Sequence, residues 1–224
     1  MINDVRNLVN FILNKESRGY ITPLQFNTFS KQAQQEILDG YFIDYNKTIV
    51  GSNSRAVYKE LHSKASENIS RFVTEPTNLT FLDGYFTSPG DLYKTITLLY
   101  NNTEAEEIQL DKVSYILSSP LVYPSVFYPL YVRYGEKYKV YPESIDTNVQ
   151  LIYVRNPKDP NWTYELIGNE PIFNQSAPGF QDFEIGNDDK FKLISKILKY
   201  CGLNLREPDI VGASIAFENQ DQVT

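Results

Sequence analysis

Few side chains in this sequence combine the type and spacing that catalysis or metal binding needs. His62 is the only histidine and Cys201 the only cysteine. A zinc site built from several Cys and His ligands therefore lacks its donors, and an internal disulfide lacks its second thiol. A Ser-His-Asp arrangement needs an exposed serine on a sharp turn, and no Gly-x-Ser-x-Gly stretch occurs. His62 stands beside Leu61 in a helical pattern and reads as a solvent-facing or interface histidine rather than a base. Cys201 is in phase with Ile194 and Ile197, so an inert core thiol is expected in preference to a nucleophile. Neither a Gly-x-x-x-x-Gly-Lys phosphate loop nor a Gly-x-Gly-x-x-Gly fingerprint is present.

Carboxylates and tyrosines offer two further groupings. Asp182, Glu184, Asp188 and Asp189 form an acidic cluster. It reads as the favourable negative charge of a helix N-terminus, with a cation site as the alternative, although the spacing of a calcium loop is missing. Tyr128, Tyr131, Tyr134, Tyr138 and Tyr141 read as cross-strand packing pairs, with a sugar-stacking surface as the alternative. A glycosidase needs two carboxylates that are near only in space, and nothing in the sequence marks such a pair. The expectation is a protein that is not an enzyme and uses no cofactor or metal.

Composition narrows the class. A chain of 224 residues that is 42% hydrophobic can bury one good core or two small ones. No stretch approaches the ~18 consecutive apolar residues of a membrane span. Met1-Ile-Asn-Asp-Val-Arg6 is no signal peptide, so synthesis in the cytoplasm is expected and the Asn-x-Ser/Thr triplets at Asn46, Asn68 and Asn78 carry no meaning. A net charge of −7 argues against a surface that grips nucleic acid, though not against one that merely faces it. Seventeen Tyr and thirteen Phe suit surfaces that assemble with others.

The elements that must position these residues follow from periodicity. A first helix after Asn3 carries Val5, Leu8, Val9 and Ile12. Thr22, Pro23 and Gln25 form a capping signal for a second, with Phe26, Phe29, Ala33, Ile37, Tyr41 and Tyr45 on one side and Gln32, Gln34, Gln35 and Glu36 on the other. A third carries Val57, Leu61, Ala65, Ile69 and Phe72 and closes at Glu75-Pro76. Strands are expected over Leu79–Pro89, Leu92–Tyr100, Leu130–Tyr134, Lys137–Tyr141 and Val149–Val154, with Gly135-Glu136 as a type II′ turn. Leu130, Val132 and Tyr134 share one face, and Tyr138 and Val140 share one on the returning strand. A short helix capped by Asp111 and a Pro-rich crossing lie between the first of the long strands and the hairpin. Lys158 to Asn187 reads as a long irregular arm with a function or a partner. Asn187-Asp188-Asp189 then caps a helix that Gly202 stops, and a last short helix starts at Pro208.

The expected fold is α+β: N-terminal antiparallel helices packed with a small antiparallel β-sheet or sandwich, then a C-terminal helix and tail. The parts are a helical part at 1–75, a β-rich part at 76–157, the arm at 158–187 and the C-terminal helix and tail at 188–224, together one compact domain.

The opening stretch Asn14-Lys-Glu-Ser-Arg-Gly-Tyr-Ile-Thr-Pro-Leu-Gln-Phe-Asn27 resembles structural proteins from tailed phages of Bacteroidales, including the crAss-like phages. The order of parts resembles the head–tail adaptor (connector or ring) proteins of short-tailed phages. Helices come first, then a sheet segment opening on Pro89-Gly-Asp91, a Pro-flanked hairpin and an exit at Tyr153-Val-Arg-Asn-Pro157. The resemblance implies a structural virion protein at the portal vertex or tail neck, in a ring of typically twelve subunits. It further implies contact with the portal protein and with neighbouring ring or tail proteins, and genomic DNA passing through the lumen without specific binding. In such adaptors the C-terminal segment often docks on the portal, which would make Leu205, Ile210, Ile215 and Phe217 anchors. The alternatives are another tail component or a carbohydrate-binding module using the Tyr-rich hairpin, and, further off, a cell-wall hydrolase.

Overall fold

Thr22 and Gln25 begin the longest helix through the reciprocal bonds that their spacing predicts. In the computed structural model, which describes residues 1–15, 19–50, 57–168 and 170–205, the Thr22 amide donates to Gln25 Oε1 at 3.1 Å and the Gln25 amide to Thr22 Oγ1 at 3.3 Å. Two donors that a helix start leaves without partners are thereby satisfied. Three helices precede the sheet: α1 (Ile2–Lys15), α2 (Pro23–Val50) and α3 (Val57–Ser70). Helix α1 buries Ile2, Val5, Val9 and Leu13, a stripe at spacings of three and four. Helix α2 buries Phe26, Ala33, Ile37, Leu38 and Tyr41. Gln34 is also buried, against the expectation that it faces outward, because α2 is covered on more than one side.

The chain divides into two compact units, one made of Met1–Arg71 with Pro157–Thr224 and the other of Phe72–Asn156. The second unit is an eight-stranded sheet of β1 (Thr77–Asn78), β2 (Thr80–Leu82), β3 (Tyr85–Thr87), β4 (Leu92–Tyr100), β5 (Thr103–Glu107), β6 (Leu130–Tyr134), β7 (Lys137–Tyr141) and β8 (Val149–Arg155). Their order across the sheet is β1-β8-β4-β5-β6-β7-β3-β2. Its two end strands are consecutive in the chain and separated by Leu79 alone, so one bent segment nearly closes the sheet into a barrel. At the bend, the Leu79 amide bonds the Val149 carbonyl at 2.9 Å. The result is a mixed, nearly closed sheet rather than a sandwich or a purely antiparallel one, because β5 and β6 pair in parallel. Parallel neighbours need a crossover, and the short helix α4 (Val113–Ser118) lies within it.

Tight turns fix the register. Asn101 and Asn102, at φ 48° and 64°, join β4 to β5, and Asp83-Gly84, at 53° and 83°, joins β2 to β3. Two successive positive φ values are the type I′ pattern that matches strand twist. The stretch expected as one strand over Leu79–Pro89 is accordingly a hairpin. Gly135 has φ 61° while Glu136 stays negative, the II′ pattern. This turn pairs Tyr134 with Lys137 and Tyr131 with Val140. Tyr138 and Val140 therefore share their face with Tyr131, opposite the face of Leu130 and Val132. The first face joins Phe86, Leu98, Ala105, Ile145, Val149, Leu151 and Tyr153 in the main core. The second is covered by Val113, Ile116 and Leu117 of α4, packed with Ile108, Val132 and Tyr141. Asp111 does not cap α4: it lies inside a 3-10 turn (Leu110–Lys112) that has no side-chain cap.

After Pro157 the chain returns to the first unit. The arm is ordered, with a hairpin of β9 (Tyr164–Ile167) and β10 (Glu170–Phe173). A 3-10 turn at Asn187–Asp189, again without a side-chain cap, leads into α5 (Lys190–Leu205). Gly202 does not stop α5, which continues through it to Leu205. Helix α2 packs against α3 and α5, and α1 against α5. The last expected helix, from Pro208, lies outside the described residues.

Candidate assembly surfaces

The arm is held by polar side chains projecting from α2. Gln34 Nε2 donates to the Lys158 carbonyl at 2.9 Å, and Gln34 Oε1 accepts from the Glu184 amide at 3.0 Å. One buried carboxamide thus ties down both limbs of the arm. Seven residues earlier, Asn27 Oδ1 accepts from the Trp162 amide at 2.9 Å, and Asn27 Nδ2 donates to Asn161 Oδ1 at 2.7 Å. Lys31 pairs with Asp159 at 2.6 Å on the exposed side of the same row. Spacings of three, four and seven put these residues on one face of α2. Of these, Gln34 and Asn27 satisfy backbone groups that an irregular segment would otherwise leave orphaned.

Trp162 is the centre of this packing. Its indole is fully buried and donates from Nε1 to Asn3 Oδ1 at 3.1 Å. Tyr164 and Phe173, opposite each other in the β9–β10 hairpin, stack on it with centroids at 5.5 and 5.9 Å. The Arg6 guanidinium covers the ring, and burial lowers the Arg6 pKa from its ordinary value.

The acidic cluster is dispersed into separate structural tasks. Asp182 accepts from the Ile2 amide at 2.8 Å and from the Met1 nitrogen at 2.9 Å, capping α1 from 180 residues away. Glu184 Oε2 accepts from the Lys158 amide at 2.8 Å. Asp189 is buried, accepts the Tyr41 hydroxyl at 2.6 Å and lies 3.4 Å from Lys192 Nζ. Burial and this bond push the Tyr41 hydroxyl far above its ordinary range. Among the described residues, no three His, Cys, Asp or Glu side chains gather as metal ligands. Cys201 is buried, and desolvation pushes its thiol up to about 12. His62 belongs to α3, but its side chain lies outside the described residues. So do the side chain of Leu205, which ends α5, and Ile210, Ile215 and Phe217 entirely.

The tyrosines do not form one surface. Tyr131, Tyr138 and Tyr141 are buried, whereas Tyr128 and Tyr134 are exposed. Tyr153 joins the two stretches that frame the sheet: its hydroxyl donates to Asp91 Oδ1 at 2.8 Å, while the Asn156 amide donates to the Asp91 carbonyl at 2.7 Å. The sheet unit also has two open depressions of about 410 Å³ each. One is lined by the carboxamides of Asn78, Asn101, Asn102, Asn148 and Gln150; the other lies beside Glu104, Glu106 and Glu107.

The Pro-rich crossing through Pro120, Pro124 and Pro129 is where the sheet unit leaves most apolar surface uncovered. Leu121 is 95% exposed, Phe127 82% and Tyr128 78%, with Val122, Tyr123 and Val126 also exposed. The available signal was charge: no ionisable Asp, Glu, Lys, Arg or His occurs from Val113 to Val132. In the helical unit, Leu24, Phe191 and Phe11 are likewise exposed. No helix among the described residues is long and apolar enough to cross a membrane. No protein-family model matches this sequence, and no curated protein matches it.

Proposed function

We propose that this chain is a structural subunit of a phage virion, forming a ring at the portal vertex or tail neck that joins the portal to the tail and surrounds the passing DNA. The observation that carries the reading is the apolar surface that Leu121–Tyr128 leaves uncovered in the sheet unit. Monomers rarely leave large apolar patches exposed, and a subunit of a closed ring must bury two different patches against its two neighbours. The order of parts supports the same reading, and the Pro89-Gly-Asp91 turn and Tyr153 exit that carry the resemblance are hydrogen-bonded to each other. A net charge of −7 suits a lumen through which DNA slides without adhering. The alternative carbohydrate-binding role would rest on Tyr128 and Tyr134, since the other three rings are inside.

Native mass spectrometry of the protein alone and mixed with its portal oligomer tests the proposal. The expected result is addition of a fixed multiple of 25.8 kDa to the portal, near twelve by the family's pattern. A chain that stays monomeric and ignores the portal overturns it.

A further inference from the structure

We propose that the apolar tip at Leu121–Tyr128 is this chain's self-association element and seats against a second copy of the chain. The inference rests on the ring reading above and names the surface that makes the contact.

The tip is preorganised. Pro124 and Pro129 are buried and pin it at two points. Ser125 and Tyr128 exchange backbone hydrogen bonds at 3.3 and 3.1 Å, which leaves Val126 and Phe127 at the summit of a two-residue turn. Little ordering entropy remains to oppose binding. The three exposed aromatics with Leu121, Val122 and Val126 present about 700 Å², taking roughly 150–250 Å² for each fully exposed ring. That is close to the ~800 Å² per partner of a stable interface.

Charge identifies the occupant. Every copy carries −7, so contact between copies is least opposed where the surface has no charge. Val113 to Val132 is the longest stretch of the chain without a charged residue. A membrane surface fits less well, because attraction to anionic headgroups needs Lys or Arg beside the apolar residues, and the tip has neither.

The test compares the wild-type chain with Phe127→Asp/Tyr128→Asp and, at the other end of the tip, Leu121→Asn/Val122→Asn. Each is measured by sedimentation velocity and native mass spectrometry over a range of concentrations, alone and with the portal oligomer. Circular dichroism checks the fold, and flotation with phosphatidylcholine vesicles checks lipid binding. The expected result is wild-type assembly and at least tenfold weaker self-association in a variant that keeps the wild-type spectrum. Variants that assemble like wild type overturn this inference and leave the ring reading standing. A wild-type chain that is monomeric in every condition overturns both. Tip-dependent flotation without self-association overturns it in favour of a lipid surface.

Discussion

The guanidinium carbon of Arg6 sits 3.7 Å from the centre of the Trp162 indole, inside the helical unit. The Arg6 side chain is buried, its Nη2 donates to the Tyr20 hydroxyl at 3.4 Å, and its Nε has no hydrogen-bond partner among the described residues. Attraction between a cation and an aromatic face strengthens when both are desolvated. Trp162→Ala removes this attraction together with the stacking of Tyr164 and Phe173. It is expected to cost about 3–5 kcal/mol, measured by urea unfolding followed by circular dichroism. As Trp162 is the only tryptophan, wild-type fluorescence should be that of a buried indole and move to the red on unfolding.

Gln34 is expected to act as a clamp on the arm. Gln34→Ala leaves the Lys158 carbonyl and the Glu184 amide without their partner, at a cost of about 2–4 kcal/mol for two such groups. Gln34→Glu keeps an acceptor for the Glu184 amide but loses the donor to Lys158, so it should not restore stability at neutral pH. Hydrogen exchange at 158–184 is the decisive readout. Unchanged protection there in Gln34→Ala would show that the clamp is dispensable.

Tyr153 makes stability depend on alkali. Burial first, and then its bond to Asp91, push its hydroxyl up to about 12. An unfolded tyrosine ionises near its ordinary value of 10, so between pH 10 and 12 the unfolded state releases a proton that the folded state retains. The stabilisation is complete below pH 10 and is lost as pH rises toward 12. Tyr41 and Tyr131 are raised as well. Urea midpoints should therefore fall above pH 10 in wild type and fall less steeply in Tyr153→Phe. Parallel curves would refute the assignment.

Cys201 should be inert in the native protein. Its thiol is buried in α5 and pushed up to about 12, so almost no thiolate is available at pH 8. Labelling with a thiol-reactive disulfide reagent should be negligible until denaturant is added and then reach one equivalent. Rapid native labelling would mean that α5 opens readily.

Elements that carry their own local signal were legible in the sequence. β4, β6 and β7 have the bounds their alternating β-branched and aromatic residues predict, and the Thr22–Gln25 box begins α2 where expected. β5 was not legible, because Thr-Glu-Ala-Glu-Glu107 is poor in strand-forming types and only the paired left-handed asparagines before it commit it to a hairpin. The role of Gln34 was hidden for a different reason. A glutamine reads as surface until its partners are known, and they lie 124 and 150 residues along the chain. Asp182 does meet a helix N-terminus, as its charge suggests, but which one is invisible in the sequence, since the α1 amide it accepts from lies 180 residues away. The apolar tip was readable only as an absence of charge, which does not distinguish a covered loop from an exposed one.

The division of the chain has a consequence for its birth on the ribosome. The three helices α1 to α3 emerge before the sheet, yet Trp162, Glu184, Asp182 and α5, against which they complete their packing, are made after it. The intervening sheet contains all its own strands by Asn156, and the two ends of its unit are already joined through the Arg155 amide and the Phe72 carbonyl. The middle of the polypeptide can therefore mature while the beginning waits, and a nascent chain whose residue Asn156 has just left the ribosome would present a complete, nearly closed sheet tethered to three unfinished helices.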